Sequence, residues 1–228
     1  GQFEAYLSLP QSDWARWLPP RLLGQWHADA LRAGGEFWVD WRKGQLQQAA
    51  VRLNAPQLRG AYAERKAVTL DNLAMSAWLQ RQDQGFDVVV DSLAANIGKA
   101  RWESHLQVRQ RMGEDPSAER WQVQADRLDL TPLTPLINAL APLPEKLMTV
   151  VDALNVTGAL RNVRLEVRPK AEGDQRLQFA ANLEKVGFDA YHGAPAAGNV
   201  SGSISGDLGH GELRLDTDAF MLHLSLIH

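Results

Sequence analysis

Apolar and polar side chains alternate along most of this chain, and that two-residue period limits its fold more than any other feature. Leu177, Phe179, Ala181 and Leu183 alternate with Gln178, Ala180, Asn182 and Glu184. Trp102, Ser104, Leu106 and Val108 are interleaved with Glu103, His105 and Gln107. Trp121, Val123 and Ala125 are separated by Gln122 and Gln124, and Val163, Leu165 and Val167 by Arg164 and Glu166. Phe86, Val88 and Val90 repeat the scheme. Successive side chains of a strand leave on opposite faces, so each run builds one dry and one wet face. One-sided strands of this kind belong to antiparallel sheets. The expected fold class is mainly β.

Turn residues separate the runs. Arg42-Lys43-Gly44, Gln84-Gly85, Gly113-Glu114-Asp115-Pro116, Glu172-Gly173-Asp174 and Gly209-His210-Gly211 read as hairpin connections. Near the C-terminal end the parity of the apolar set changes, from Leu213 and Leu215 to Phe220, Leu222 and Leu224. A bulge or strand break at Asp216 to Asp218 accounts for the switch. Two segments lack the strand rhythm, residues 12–31 and 131–153, and each reads as short, Pro-interrupted helices. Ser12 or Asp13 caps the first; Thr131 caps the second, with Pro132 at its first helical position.

The two segments look like copies, offset by about 120 residues. Leu7-Ser8-Leu9-Pro10 corresponds to Leu128-Asp129-Leu130-Thr131, and Ala30-Leu31 to Ala153-Leu154. The expected organisation is a first repeat unit over 1–127 (strand, short helices, meander) and a second, incomplete unit over 128–228. The two share one continuous sheet rather than forming independent domains.

Composition narrows the function classes. A formal charge of −3 offers no basic excess for a phosphate backbone, so nucleic acid is not an expected partner. The absence of cysteine removes disulfides, thiolate chemistry and cysteine-based zinc sites. The most apolar stretch, Leu130 to Leu154, is interrupted by Pro132, Pro135, Pro142, Pro144, Glu145 and Lys146, unlike a membrane span. Strand-like alternation begins at once, with no signal peptide before it. The expectation is a soluble fragment whose membrane anchor lies elsewhere.

Several segments together resemble the AsmA-like family of bacterial envelope proteins, the bridge-like lipid-transfer group with YhdP and TamB branches. They are Leu128-Asp129-Leu130 entering the proline-rich helix, Leu154 to Leu165, Phe179 to Phe188, Val200 to Gly206 and Gly211 to Leu215. The YhdP branch is the nearest. The resemblance covers most of the chain, through turns and alternation rather than a catalytic signature. It implies a fragment of an inner-membrane-anchored Gram-negative protein that spans the periplasm. The implied fold is a long antiparallel, curled, groove-forming sheet built from repeats, conducting phospholipid or other acyl-chain lipid between the inner and outer membranes. Envelope proteins are further implied partners, and the membrane helix belongs to the full-length parent.

Burying hydrocarbon contributes about 0.8 kcal/mol per CH₂, so eight covered methylenes give roughly 6 kcal/mol before losses. Such contact tolerates sliding, because each step exchanges one methylene for another. The expected lipid-facing residues are Trp102, Leu106, Val108, Trp121, Val123, Val163, Leu165, Val167, Leu177, Phe179 and Leu183. The same alternation also describes the core of a closed sandwich or barrel. Trp38 and Trp41 differ in parity, so at least one faces away from the core.

No catalytic constellation stands out, no cofactor is expected, and the chain reads as no enzyme. The histidines His27, His105, His192, His210, His223 and His228 form no helical zinc motif. Gly98-Lys99 lacks the first glycine and the hydroxyl residue of a phosphate loop. In Gly202-Ser203-Ile204-Ser205-Gly206, Ile204 occupies the nucleophile position of an elbow. Asp126 with Asp129, and Asp216 with Asp218, read as solvated pairs. The alternative function is a structural or assembly module that binds a protein at a sheet edge. A third reading, a carbohydrate-active β-domain, would need an exposed aromatic platform with nearby carboxylates; Trp38 and Asp40 share a parity and could start one, but the rest of such a site is not visible in the sequence.

Overall fold

A computed structural model describes residues 2–16, 24–113, 118–140, 145–193, 195–216 and 221–223. Its strands are β1 (Gln2–Asp13), β2 (Trp26–Arg42), β3 (Gln45–Tyr62), β4 (Val68–Gln82), β5 (Gly85–Ile97) and β6 (Ala100–Arg111). They continue as β7 (Arg120–Asp129), β8 (Thr157–Val167), β9 (Leu177–Phe188), β10 (Ala196–Asp207), β11 (Gly211–Leu215) and β12 (Met221–His223). Helices α1 (Leu130–Leu140) and α2 (Glu145–Leu154) join β7 to β8.

All strands lie in one antiparallel sheet whose spatial order is the sequence order from β1 to β11. β12 pairs with Ala196–Gly198 of β10, beyond the stretch Gly202–Gly206 that β11 occupies. The two short strands thus share one edge of β10, and the expected interruption falls after Leu215. The turns at Lys43-Gly44 and Gly209-His210 lie where the sequence put them, while the one expected at Gln84-Gly85 falls one residue earlier, at Asp83-Gln84, with Gly85 opening β5. Of the Gly113 to Pro116 connection, residues 114–116 are outside the described residues. Gly98-Lys99 makes the β5–β6 hairpin turn.

The expected curl and groove are not found. The sheet is open: β1 pairs only with β2, β11 only with β10, and strand contacts run between neighbours. No large side chain is completely enclosed among the described residues, and a closed barrel or two-sheet sandwich is excluded as well. Where an empty trough was expected, α1 packs on β3, β4, β6 and β8, with α2 against α1.

The helical expectation for 131–153 is met by α1 and α2, although α1 begins at Leu130 and holds Pro135 inside it. The expectation for 12–31 is overturned wherever that segment is described; residues 17–23 lie outside. Ser12 and Asp13 pair with Ala33 and Arg32 beyond a bulge, and β2 begins at Trp26. The physical reason is cross-strand bonding. Trp14 donates its backbone N–H to the Leu31 carbonyl and its indole N–H to the Ala33 carbonyl, both at 2.8 Å. Those bonds replace the ones a helix would have made within the segment.

The best-packed core lies under α1. Val68, Leu70, Ala95, Ile97 and Trp102 of the sheet meet Leu136 and Ala139 of the helix. Trp26 ties the far end of α1 down, donating its indole N–H to the Leu140 carbonyl at 2.9 Å. A second cluster, Val186, Ala197 and Val200, gathers Leu130, Val156, Leu160 and Leu183 around it. Gly202 lets β9, β10 and β11 approach there: its φ is 153°, and a Cβ would overlap the Arg214 carbonyl oxygen.

Candidate functional site: the apolar sheet face

Directly opposed residues in neighbouring strands share a face, so the register can be followed across the whole sheet. One line of partners reads Ala5, Val39, Ala49, Leu79, Val88, Val108, Val123, Leu165, Phe179 and Gly206. Every member is apolar or glycine. The adjacent line, on the opposite face, reads Glu4, Asp40, Gln48, Gln80, Asp87, Arg109, Gln122, Glu166, Gln178 and Asp207. Every member is polar. Along these two lines one face of the sheet is dry and the other wet from β1 to β10.

The dry face is only partly covered. Val39, Leu79, Val88, Leu106, Val108, Trp121, Val123, Val163, Leu165, Val167, Leu177, Phe179 and Leu183 are half-buried. Trp102 differs: it is 9% exposed and packed under α1. Val163, Leu165, Phe179 and Leu183 line an apolar cavity of about 460 Å³ between the helices and strands β8 to β10. Leu106, Val108, Trp121, Val123, Val167 and Leu177 lie outside that cavity, further along the same face.

Sequence reasoning missed the helical wall of the cavity, which includes Leu130, Leu133, Ile137, Val151 and Leu154. The i, i+3, i+7 spacing of Leu130, Leu133 and Ile137 was the available signal. It also missed Leu160, Val186 and Ile204. Asn162 and Lys185 have φ of 50° and 49°. The bulge between Arg161 and Arg164 lets both Leu160 and Leu165 face odd-numbered apolar residues of β9, Leu183 and Phe179.

Polar groups border the dry face. Gln110, 5% exposed, sits between Phe86 and Trp121 in the register, whose rings meet edge-on at 5.6 Å. The Glu119 carboxylate accepts from the Trp121 indole at 2.9 Å and from the Gln110 amide at 3.3 Å, which lowers its pKa. Glu184 is likewise lowered, first by hydrogen bonding to Arg127, and Glu166 by the Gln122 amide. Asp207 is lowered by the backbone N–H groups of His210 and Gly209.

Each of these carboxylates favours the folded state while both states are ionised. That contribution is complete above the ordinary carboxylate pKa of about 4 and disappears as pH falls through the depressed folded values. The thermal midpoint should therefore stay level from about pH 7 to 5 and drop below about pH 4, less steeply in Glu184→Gln. Melts that stay level through the acid range would contradict this assignment.

Asp174, Asp207 and His210 bring three potential ligand atoms together. The Asp207 carboxylate is already engaged by the N–H groups of Gly209 and His210, both at 2.8 Å, which closes the β10–β11 turn. The described histidines, Asp126 and Asp129 gather into no other such group among the described residues; His228 lies outside them.

Comparison with known proteins finds one match. The family described as YhdP protein matches the chain over residues 3–227. No curated protein and no solved structure matches.

Proposed function

The chain belongs to the YhdP family, and on that premise we propose that it holds phospholipid or other acyl-chain lipid against the apolar face of its open sheet. Membership supports a general role in envelope lipid transport. Family membership fits a transport role rather than a catalytic one. The finer reading places it on the YhdP branch of the AsmA-like group. It is then the periplasmic portion of an inner-membrane-anchored Gram-negative protein that passes acyl chains between the two membranes. Among the described residues no helix is long and apolar enough to cross a membrane; the anchor belongs to the parent in this reading.

The carrying observation is the unbroken apolar line from Ala5 to Gly206, whose members from Val39 to Phe179 are half-buried, Leu165 and Phe179 among them lining the helix-walled cavity. Acyl chains suit such a face because methylene contacts are interchangeable, so a chain keeps its contacts while it slides. The proposed contact set is Leu106, Val108, Trp121, Val123, Val163, Leu165, Val167, Leu177, Phe179 and Leu183, with Trp102 marking where α1 begins to cover the face. The two units 1–127 and 128–228 are retained as successive lengths of one lipid path; the two longest connections, β1 to β2 and β7 to β8, open them.

Photocrosslinking amino acids test this directly. Placed at Leu106 and Phe179 they should capture phospholipid, and placed at Gln107 and Gln178 they should not. Equal labelling of the two sets removes the basis for the proposal.

A second reading, protein binding at a sheet edge, draws on the open edges. Phe3 and Leu7 on β1 are 54% and 53% exposed, and Leu213 on β11 is 54% exposed. It predicts protein crosslinks along β1 and none to lipid.

A further inference from the structure

The wet face carries three large aromatic residues that the dry-face function does not explain. Tyr6, Trp38 and Trp78 lie on one line of register partners, linked through Ala50. Tyr6 is 63% and Trp78 37% exposed. Rings on this face cannot serve the core under α1, which occupies the opposite side. They share a depression of about 200 Å³ with Glu36, Arg52 and Asp91.

Two features show that the depression is built rather than incidental. Glu36 is held in place, accepting from the Tyr6 hydroxyl at 3.0 Å and from Arg52 at 3.2 Å. A bulge in β5 breaks its register with both β4 and β6 next to Asp91, the kind of irregularity that re-aims a side chain. Asp91 lines the depression and has no ion-pair partner among the described residues.

We propose that this platform binds an extended, β-linked oligosaccharide. Pyranose rings present flat C–H faces that stack on aromatic rings, and a rim of hydroxyls that needs polar partners in the ring plane. Trp38 and Trp78 stand two strand spacings apart, about 10 Å, which suits two sugar units of an extended chain. Two carboxylates against one guanidinium suit a neutral, polyhydroxylated ligand. A phosphate would call for a cationic excess, and an acyl chain would offer Asp91 no polar partner. The site lies on the face opposite the lipid surface and does not depend on it.

Tryptophan fluorescence titration of the chain with chitotetraose tests the site, with maltotetraose, whose chain coils, as the comparison. Chitotetraose should give a saturable change and maltotetraose none. Trp78→Ala should weaken binding about tenfold, with Trp78→Phe retaining part of it. Asp91→Asn should also weaken binding, and provides the test if the tryptophan variant does not fold. Lys99→Ala, in the β5–β6 turn, should leave binding unchanged. The proposal is overturned by the absence of a saturable signal, by equal responses to the two sugars, or by unchanged affinity in both Trp78→Ala and Asp91→Asn.

Discussion

Chain carrying both Leu165→Asp and Phe179→Asp is expected to be purified without lipid, while Gln122→Asp with Gln178→Asp retains what the parent chain carries. Leu165 and Phe179 are register partners, and both line the cavity under the helices. Gln122 and Gln178 flank them on the wet face, each paired with Glu166 in the register. The difference is thus one of face rather than of place along the sheet, although Gln122→Asp also removes the amide that donates to Glu166 at 2.8 Å. A covered acyl segment of eight methylenes contributes roughly 6 kcal/mol, and a carboxylate beneath it must lose hydration with no partner in return. The two effects have the same sign and together exceed what any single remaining contact supplies. Native mass spectrometry reads the bound lipid, and circular dichroism establishes that both double variants are folded. Equal lipid in the two variants would mean that hydrocarbon does not lie on this face.

Trp102→Ala is expected to cost about 3–5 kcal/mol, the usual range for a large aromatic removed from a core, and to lower Tm by roughly 10 °C. Trp102 is the largest side chain of the cluster that seats α1, where it meets Leu136 and Ala139. Its loss leaves a cavity at the sheet–helix junction. Trp102→Phe should cost much less, because the buried indole N–H finds no acceptor among the described residues and phenylalanine removes that unpaired donor. Thermal melts of the two variants separate packing from polarity. Equal losses would show that the ring's full volume, rather than the orphaned donor, sets the balance.

The strands were legible because alternation is a local property that survives into the sheet unchanged. Leu177 to Leu183 and Trp121 to Ala125 needed no partner to be read. The parity changes at Asn162 and Lys185 were not legible, since a bulge is defined against a neighbouring strand. The described part of 12–31 was misread for a related reason: Ser12 and Asp13 satisfy local capping rules, but Leu31 and Ala33 accept hydrogen bonds from Trp14 across the strands. Curvature was out of reach as well, because the same alternation fits a flat, twisted or rolled sheet. For the site, the sheet half of the cavity was visible as period two. The helical half was overlooked although Leu130, Leu133 and Ile137 carry its spacing.

Each strand from β2 to β10 pairs with the strand before it and the strand after it. Such an order can be laid down as the polypeptide emerges, with every new hairpin closing a short loop onto an edge already in place. It also makes length adjustable. A duplicated hairpin would widen the sheet by about 10 Å and extend both faces together, without any existing strand changing neighbours except at the point of insertion.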